Sequence, residues 1–221
     1  MVTPGSKVDI SEITAWSDGL AAQARELYER SFPAAERHDF ARIRQIPEEP
    51  DEPRSRRIIA ATDGSDLLGL SIFRRLAEAS LGYLWYLCVD EASRGSGIGV
   101  RLYRATLDAL RADAARAGHP LKGLIFEVER LDSELHPIYG DPTRRVKFYE
   151  RLGARLILGY DYVQPPIPPH GPVPLQLMFH PLDLKPSECG KAELARIVAD
   201  FLRYGQGVEN AEVEREGLRL G

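Results

Sequence analysis

Leu84-Trp85-Tyr86-Leu87-Cys88-Val89-Asp90-Glu91-Ala92-Ser93-Arg94-Gly95-Ser96-Gly97-Ile98-Gly99 is an apolar run, a polar turn and three alternating glycines. The apolar run has the length and composition of a buried strand. After the glycines the period changes. Ile98, Leu102, Ala105, Ala109 and Leu110 fall on one helical face, and Arg101, Arg104, Asp108 and Arg111 on another, until Gly118-His119-Pro120 stops the helix. A strand, a glycine turn and a helix in that order build an anion site. The first helical amides lack internal partners, the helix dipole adds partial positive charge, and glycines let a phosphate oxygen approach the backbone closely. Arg94 and Arg101 are expected to add charge-assisted hydrogen bonds to the same group.

Working outward, Ile58–Ala61, Leu67–Phe73 and Tyr83–Val89 read as three strands joined by Thr62-Asp63-Gly64-Ser65-Asp66 and the Ser80–Gly82 region, an antiparallel meander. Before them come a short strand at Val8-Asp9-Ile10 and a helix capped by Ser17 or Asp18, with Leu20, Ala24, Leu27 and Tyr28 on its apolar face. A second, shorter helix is expected from Ala34 to about Arg44, followed by an exposed loop with Pro47, Pro50 and Pro53. Downstream, Leu121–Val128 reads as a buried strand, Arg144–Leu152 as a helix closed by Gly153, Arg155–Val163 as a strand and Pro174–Phe179 as a last strand. Six prolines from Pro165 to Pro174 make the connection between those last two strands a stiff hairpin loop able to wall a pocket. An amphipathic helix is expected from about Ser187 to Tyr204. Its face of Leu194, Ile197, Val198 and Phe201 should cover the chain's own sheet, or alternatively a second copy in a homodimer.

Composition narrows the partners. The 221 residues carry 29 Lys+Arg against 33 Asp+Glu, a formal charge of -4, so there is no basic field to hold a nucleic acid. Cationic or neutral small molecules fit this balance better. No apolar run approaches the ~20 residues of a membrane span, and the first residues lack the apolar core of a signal peptide. Cys88 and Cys189 stand far apart, outside any CxxC spacing, and His38, His119, His170 and His180 show no metal-ligand spacing, so neither a disulfide framework nor a metal site is expected. A soluble cytoplasmic protein is the simplest reading.

Spacing then discriminates among phosphate ligands. Position 100 is Val, so the GxGxxG of a dinucleotide fold is not met, and no GxxxxGK string of a P-loop occurs. Arg94-Gly95-Ser96-Gly97-Ile98-Gly99 instead resembles the (Arg/Gln)-x-x-Gly-x-(Gly/Ala) signature of the GNAT acyltransferase superfamily, which cradles the pyrophosphate of acetyl-CoA. Leu87-Cys88-Val89-Asp90 is similar to the strand end that pairs with the pantetheine arm in that family. About fifty residues on, Lys147-Phe148-Tyr149-Glu150-Arg151-Leu152-Gly153-Ala154 resembles its FYEKLGF-type helix end, and Phe126-Glu127-Val128 its LEV on the fifth strand. The order of elements over roughly residues 7 to 182 matches the family. The resemblance implies an α/β GNAT fold with a mixed, mostly antiparallel sheet, an acyltransferase domain over residues 1–184 and an added helix and tail over 185–221.

It also implies N-acetyl transfer from acetyl-CoA, as cosubstrate, to a primary amine of a small molecule by direct attack. The alternatives are a peptide or protein amine, or a non-catalytic acyl-CoA-binding regulatory module. The cofactor would be held by Leu87, Cys88, Val89, Arg94, Gly95, Ser96, Gly97, Ile98, Gly99 and Val100. Tyr149 matches the family's general acid, and an unperturbed tyrosine stays protonated at neutral pH and suits donation to a departing thiolate. Glu127 matches the carboxylate that takes the ammonium proton directly or through water. Glu129 shares its strand face and competes for that role, and either could simply hold a cationic acceptor. The oxyanion is expected near the amide of Val89. Cys88 reads as a small buried residue, because acyl-cysteine chemistry needs a neighbouring base that the sequence does not show. Position 142, where the family often has asparagine, is Pro142, so that contact is not carried over, and His136 reads as a solvated loop residue. Glu36 and Arg37 between the first two helices could grip an amine and a carboxylate, although capping and salt bridging is the plainer role.

Overall fold

The computed structural model describes residues 8–49, 56–132, 141–209, 213 and 217–221. His136 lies outside the described residues. Nine described strands form one sheet in the order β1 (Asp9–Glu12), β2 (Arg56–Asp63), β3 (Asp66–Leu76), β4 (Leu81–Val89), β5 (Gly123–Glu129), β8 (Val173–Pro181), β6 (Arg155–Leu158) and β9 (Arg219–Leu220), with β7 (Val163–Gln164) beside β8. All pairs are antiparallel except β4 with β5, the one junction bridged by a crossover helix. The sheet is therefore mixed and mostly antiparallel, as read from the sequence.

That crossover is α3 (Ile98–Ala117), which packs with α4 (Pro142–Arg151) on one face of the sheet through Leu102, Tyr103, Leu107, Leu110 and Tyr149. The other face carries two separate layers. Over β2, β3 and the end of β4 lie α1 (Asp18–Ser31) and α2 (Phe40–Arg44), with Leu27, Tyr28 and Ile43 against Ile58, Leu70 and Ile72. Over β5, β8 and the start of β4 lies α5 (Lys191–Asp200), which with Phe201 just after it buries Leu194, Ile197 and Val198 against Leu81, Ile125, Leu177 and Phe179. The apolar face of the last helix is thus covered by its own sheet. No helix among the described residues is long and apolar enough to cross a membrane.

Several elements differ from expectation for local reasons. The second helix shrinks to Phe40–Arg44, because Asp39 caps it by accepting from the Ala41 amide while Arg37 before it is extended. The fourth helix starts two residues early, with Pro142 in its first turn and Asp141 accepting from the Thr143 amide. The strand expected over Arg155–Val163 breaks at Gly159, whose φ of 77° turns the chain past Gly217 before β7 resumes. The last helix is α-helical only to Asp200 and ends in a wide π turn over Phe201–Gly205. A bulge in β4 is the other irregularity: Ile72 opposes Tyr86 and Phe73 opposes Leu84, leaving Trp85 without a partner on β3. The extra residue sends both Trp85 and Tyr86 to the α1 side, while Leu84 and Leu87 point to the α3 side.

Candidate active site

The parallel strands β4 and β5 pair only at Leu81–Gly123, Gly82–Leu124 and Tyr83–Ile125. Beyond them β4 stays paired to β3 as far as Val89, and β5 to β8 as far as Glu129, so the two strands splay and leave a notch. A cavity of about 1230 Å³ opens through this notch, lined by Leu87, Cys88 and Val89 on one side and by Phe126, Glu127, Val128 and Glu129 on the other. It exceeds the few hundred to about 1,000 Å³ usual for one small ligand. It has room for a donor and an acceptor together.

At its β4 end the cavity reaches the glycine turn. Gly97 is the N-cap of α3 with φ 86° and no side-chain cap, so the first amides of a 20-residue helix have no side chain to bond. Gly95 has φ 82°, and a Cβ on either glycine would meet nothing within 4 Å. Their role is thus conformational, and the space before them is open. Gly99 differs, since a Cβ there would sit 3.3 Å from Phe148 Cζ, which docks α4 on the turn. Arg94 lines the cavity with its Nε donating to the Val89 carbonyl at 3.3 Å, which holds the guanidinium across the turn. Arg94, Gly95, Gly97, Gly99 and Val100 all line the cavity. Ser96 does not: its hydroxyl donates to the Ser93 carbonyl at 2.6 Å and closes the turn. Ile98 is a core residue, 2% exposed, that can contribute only its backbone. Arg101 is not brought to the anion position, because its Nη2 donates to the Val8 carbonyl at 2.9 Å.

Tyr149 lies on the α4 side of the notch, its ring against Phe126, Phe148 and Tyr103 at 4.5, 5.0 and 5.5 Å between centroids. Six tyrosines are buried. The hydroxyls of Tyr28, Tyr83, Tyr86 and Tyr162 donate to His38 O, Glu127, Glu36 O and Glu127, and that of Tyr103 is bonded to His180 Nδ1. That of Tyr149 alone among these six has no hydrogen-bond partner among the described residues, and it lines the cavity. Burial pushes its pKa up to about 12, with Arg145 acting the other way. Burial likewise pushes the Cys88 thiol up to about 12, so it carries no thiolate at neutral pH. The reading of Cys88 as a small buried residue agrees with this.

Glu127 and Glu129 point to the same face of β5 and meet a third carboxylate, Glu36 from the turn before α2, across the cavity. The three are held differently. Glu127 Oε2 accepts from Tyr83 at 2.7 Å, and Oε1 accepts from Tyr162 at 2.6 Å and from Gln206 Nε2 at 3.0 Å. Burial nevertheless raises its pKa against the two tyrosine hydrogen bonds. Glu129 is 4% exposed and pairs with Arg145 at 2.5 Å. Glu36 makes no side-chain hydrogen bond or ion pair with the described residues, and burial together with the nearby Glu129 and Glu127 charges lifts its pKa to about 7, against Arg145. Pro165, Pro166 and Ile167 of the proline-rich loop line the same cavity, as expected of a stiff wall. Tyr83, Tyr162 and Gln206 were not singled out from the sequence as partners of Glu127. Tyr83 follows from strand register alone, while Gln206 arrives on the π turn, which no periodicity announces.

Residues 21–119 match the model of the Acetyltransferase (GNAT) family. No curated protein matches the chain in sequence. Among solved structures, the fold is similar to a chain described as a GNAT-family acetyltransferase from Bacteroides thetaiotaomicron, at 24% identity and TM-score 0.60, covering 91% of this chain and 99% of that one. It is also similar to an aminoglycoside 6′-N-acetyltransferase complexed with coenzyme A, at 19% identity and TM-score 0.57 over 78% and 96% of the two chains. A third is the ribosomal-protein-S18-alanine N-acetyltransferase from Escherichia coli, at 15% identity and TM-score 0.53 over 81% and 96%.

Proposed function

We propose that this chain, which carries a GNAT-family acetyltransferase domain in the GNAT fold, transfers the acetyl group of acetyl-CoA to a primary amine of a small molecule by direct attack. The observation that carries the reading is the unpartnered Tyr149 hydroxyl in a notch that also presents a glycine turn at one end and three glutamates at the other.

The uncapped start of α3, with Arg94 beside it, suits the pyrophosphate of CoA. The free edges of β4 and β5 suit the amides of the pantetheine arm, and the backbone near Val89 the oxyanion. Acetyl transfer needs a neutral amine, and Glu127 is the group assigned to take its proton. Three donors use three of its roughly four lone-pair sites and leave one, Glu127 lines the cavity, and burial makes it a stronger base than an exposed glutamate. The amine nitrogen attacks the thioester carbonyl to form the N–C bond, and the C–S bond breaks with its electron pair on sulfur beside the Tyr149 hydroxyl. The proton lost by the attacking nitrogen balances the one the thiolate gains to leave as free CoA thiol.

Glu36 has its own support as base, because it alone of the three carboxylates has no hydrogen bond or ion pair among the described residues, and its pKa lies near 7. The test is release of free CoA from acetyl-CoA over a panel of amines, with calorimetric titration of acetyl-CoA alongside. Micromolar acetyl-CoA binding and amine-dependent thiol release support the reading. Binding with no release by any amine would favour a regulatory CoA-binding module.

A further inference from the structure

The cavity does not end at the glutamates. Arg56 on β2 and Arg74 on β3 are cross-strand partners, and Arg74 in turn opposes Tyr83 on β4. Like charges placed directly opposite each other weaken a sheet. Arg42 from α2 joins them: its guanidinium carbon is 5.4 Å from the Trp85 ring centroid, and that of Arg56 is 5.3 Å from it. All three arginines line the cavity, and the carboxylate they share there is Glu49, paired with Arg56. Arg74 spends its Nη2 on the carbonyls of Tyr204 and Gly205, at 3.0 and 2.7 Å, and makes no ion pair among the described residues. Arg56 Nη1 is buried and has no hydrogen-bond partner among the described residues. Among the described residues, three guanidiniums face one carboxylate and one buried donor has no acceptor. Both are costly unless an anion completes them.

The cluster is separate from the pyrophosphate turn. Trp85 and Val89 are four residues apart on β4, about 13 Å at the rise of a strand, and the glycines lie beyond Val89. It sits instead on the acceptor side. Tyr83, which opposes Arg74, donates to Glu127, and β2 and β4 lie about 10 Å apart at the usual strand spacing. Trp85 supplies the floor between them: its indole lies on the same face of the sheet as Tyr83, two residues before it, and the Arg42 and Arg56 guanidiniums stand over it.

We propose that Arg42, Arg56 and Arg74 form a subsite for an anionic group of the acceptor, a carboxylate or a phosphate, so that the acceptor is a small molecule with a primary amine at one end and an anion at the other. The glutamates take the amine end and the arginines the anion end, which fixes the direction in which the molecule enters. Guanidinium forks suit either anion. This inference rests on the acetyl-transfer reading above.

The experiment uses matched acceptors. Thiol release from acetyl-CoA is measured with γ-aminobutyrate, δ-aminovalerate and ε-aminocaproate, with the primary amide of each, and with aminopropylphosphonate. Binding of each is measured by calorimetry in the presence of CoA. At least one acid or phosphonate should exceed its neutral counterpart by about 10-fold or more in kcat/KM, the worth of one charge-assisted hydrogen bond. Whichever anion gives the larger ratio identifies the group. In Arg56→Gln and in the exposed Arg42→Ala, the ratio should fall toward one, with acetyl-CoA affinity reporting that each variant is folded. Equal turnover of acids and amides would overturn the subsite and leave acetyl transfer standing. If no amine is turned over but an acid binds and loses affinity in Arg56→Gln, acetyl transfer falls and the subsite stands. Absence of both turnover and anion-dependent binding overturns it.

Discussion

Tyr149→Phe removes one oxygen that the fold does not use. The ring keeps its contacts with Phe126, Phe148 and Tyr103, and the lost hydroxyl has no protein partner among the described residues. Thermal stability should therefore be unchanged or slightly higher. The catalytic magnitude follows from acidity. A thiol has a pKa of about 8.5, whereas burial pushes Tyr149 up to about 12. Complete transfer of the phenolic proton to a thiolate is thus uphill by about 5 kcal/mol. On the proposed mechanism the hydroxyl therefore serves the departing sulfur as a hydrogen-bond donor to developing negative charge. A hydrogen bond to a charged group is worth about 1.5–3 kcal/mol, or about 10- to 150-fold in rate. Single-turnover thiol release at saturating amine should fall by that factor with the affinity for acetyl-CoA unchanged, because the interaction is made only in the transition state. A fall of less than about threefold in a folded variant would remove Tyr149 from the mechanism, and an equal loss of acetyl-CoA affinity would make it a binding residue instead.

Glu127→Gln should lower turnover by about 10²-fold or more if Glu127 is the base, whereas Glu36→Gln should abolish a pH-rate limb near 7 if Glu36 is; pH-rate profiles of both variants decide between them. Glu36 also sets a stability window. Its folded pKa of about 7 lies above the unfolded value near 4.5, so the native state holds more protons between those values and stability falls as pH rises through them. Glu36→Gln should flatten that slope in denaturant titrations. Gly97→Asp places a side chain in open space at φ 86°, where backbone strain of about 1–2 kcal/mol is partly offset by a carboxylate at a helix N-terminus. The variant should stay folded by thermal melt yet lose about 100-fold or more in calorimetric affinity for CoA; unchanged affinity would refute the phosphate cradle. Gly69→Ala should destabilise by about 1–3 kcal/mol, since its Cβ would lie 2.8 Å from the Cys88 carbonyl and 2.9 Å from Leu102 Cδ1, and a melting temperature lowered by less than about 2 °C would contradict that packing. Intact-mass measurement after mixing with acetyl-CoA and no amine should show no acetyl-Cys88, in keeping with its raised pKa.

The strands of the meander and the helix after the glycine turn were legible in the sequence because each depends on local signals, namely strand runs, a change of period and a glycine turn. The mixed sheet, by contrast, was implied by the family resemblance. Glu127 was legible through the family resemblance and Glu129 through the alternation of β5, and the cavity brings both together. What carries them was not. Tyr83, Tyr162 and Gln206 converge on one carboxylate from three elements distant along the chain, and only the packed sheet determines that meeting. The arginines were hidden for a related reason. Arg56 and Arg74 look like ordinary polar ends of strands until register sets them opposite each other. Arg101, by contrast, looked available on the helix face, and the loss is explained by the Val8 carbonyl that the neighbouring strand brings within reach. The Trp85 bulge reverses the parity that a plain strand reading assumes, which is why Tyr86 and Cys88 share a side with Trp85's indole rather than opposing it.

The π turn at Phe201–Gly205 separates what evolution can alter from what it must keep. Gln206 and the carbonyls beneath Arg74 belong to this turn and the residue after it, whereas the glycine turn, the splayed strands and Tyr149 belong to the sheet and its crossover helices. A substitution or a one-residue insertion near Leu202–Gln206 would move the side of the cavity that holds Glu127 and Arg74 and leave the glycine-turn end as it is. On the acetyl-transfer reading proposed above, descendants of such a chain can therefore drift from one acceptor to another while their use of the acyl donor stays under undisturbed selection.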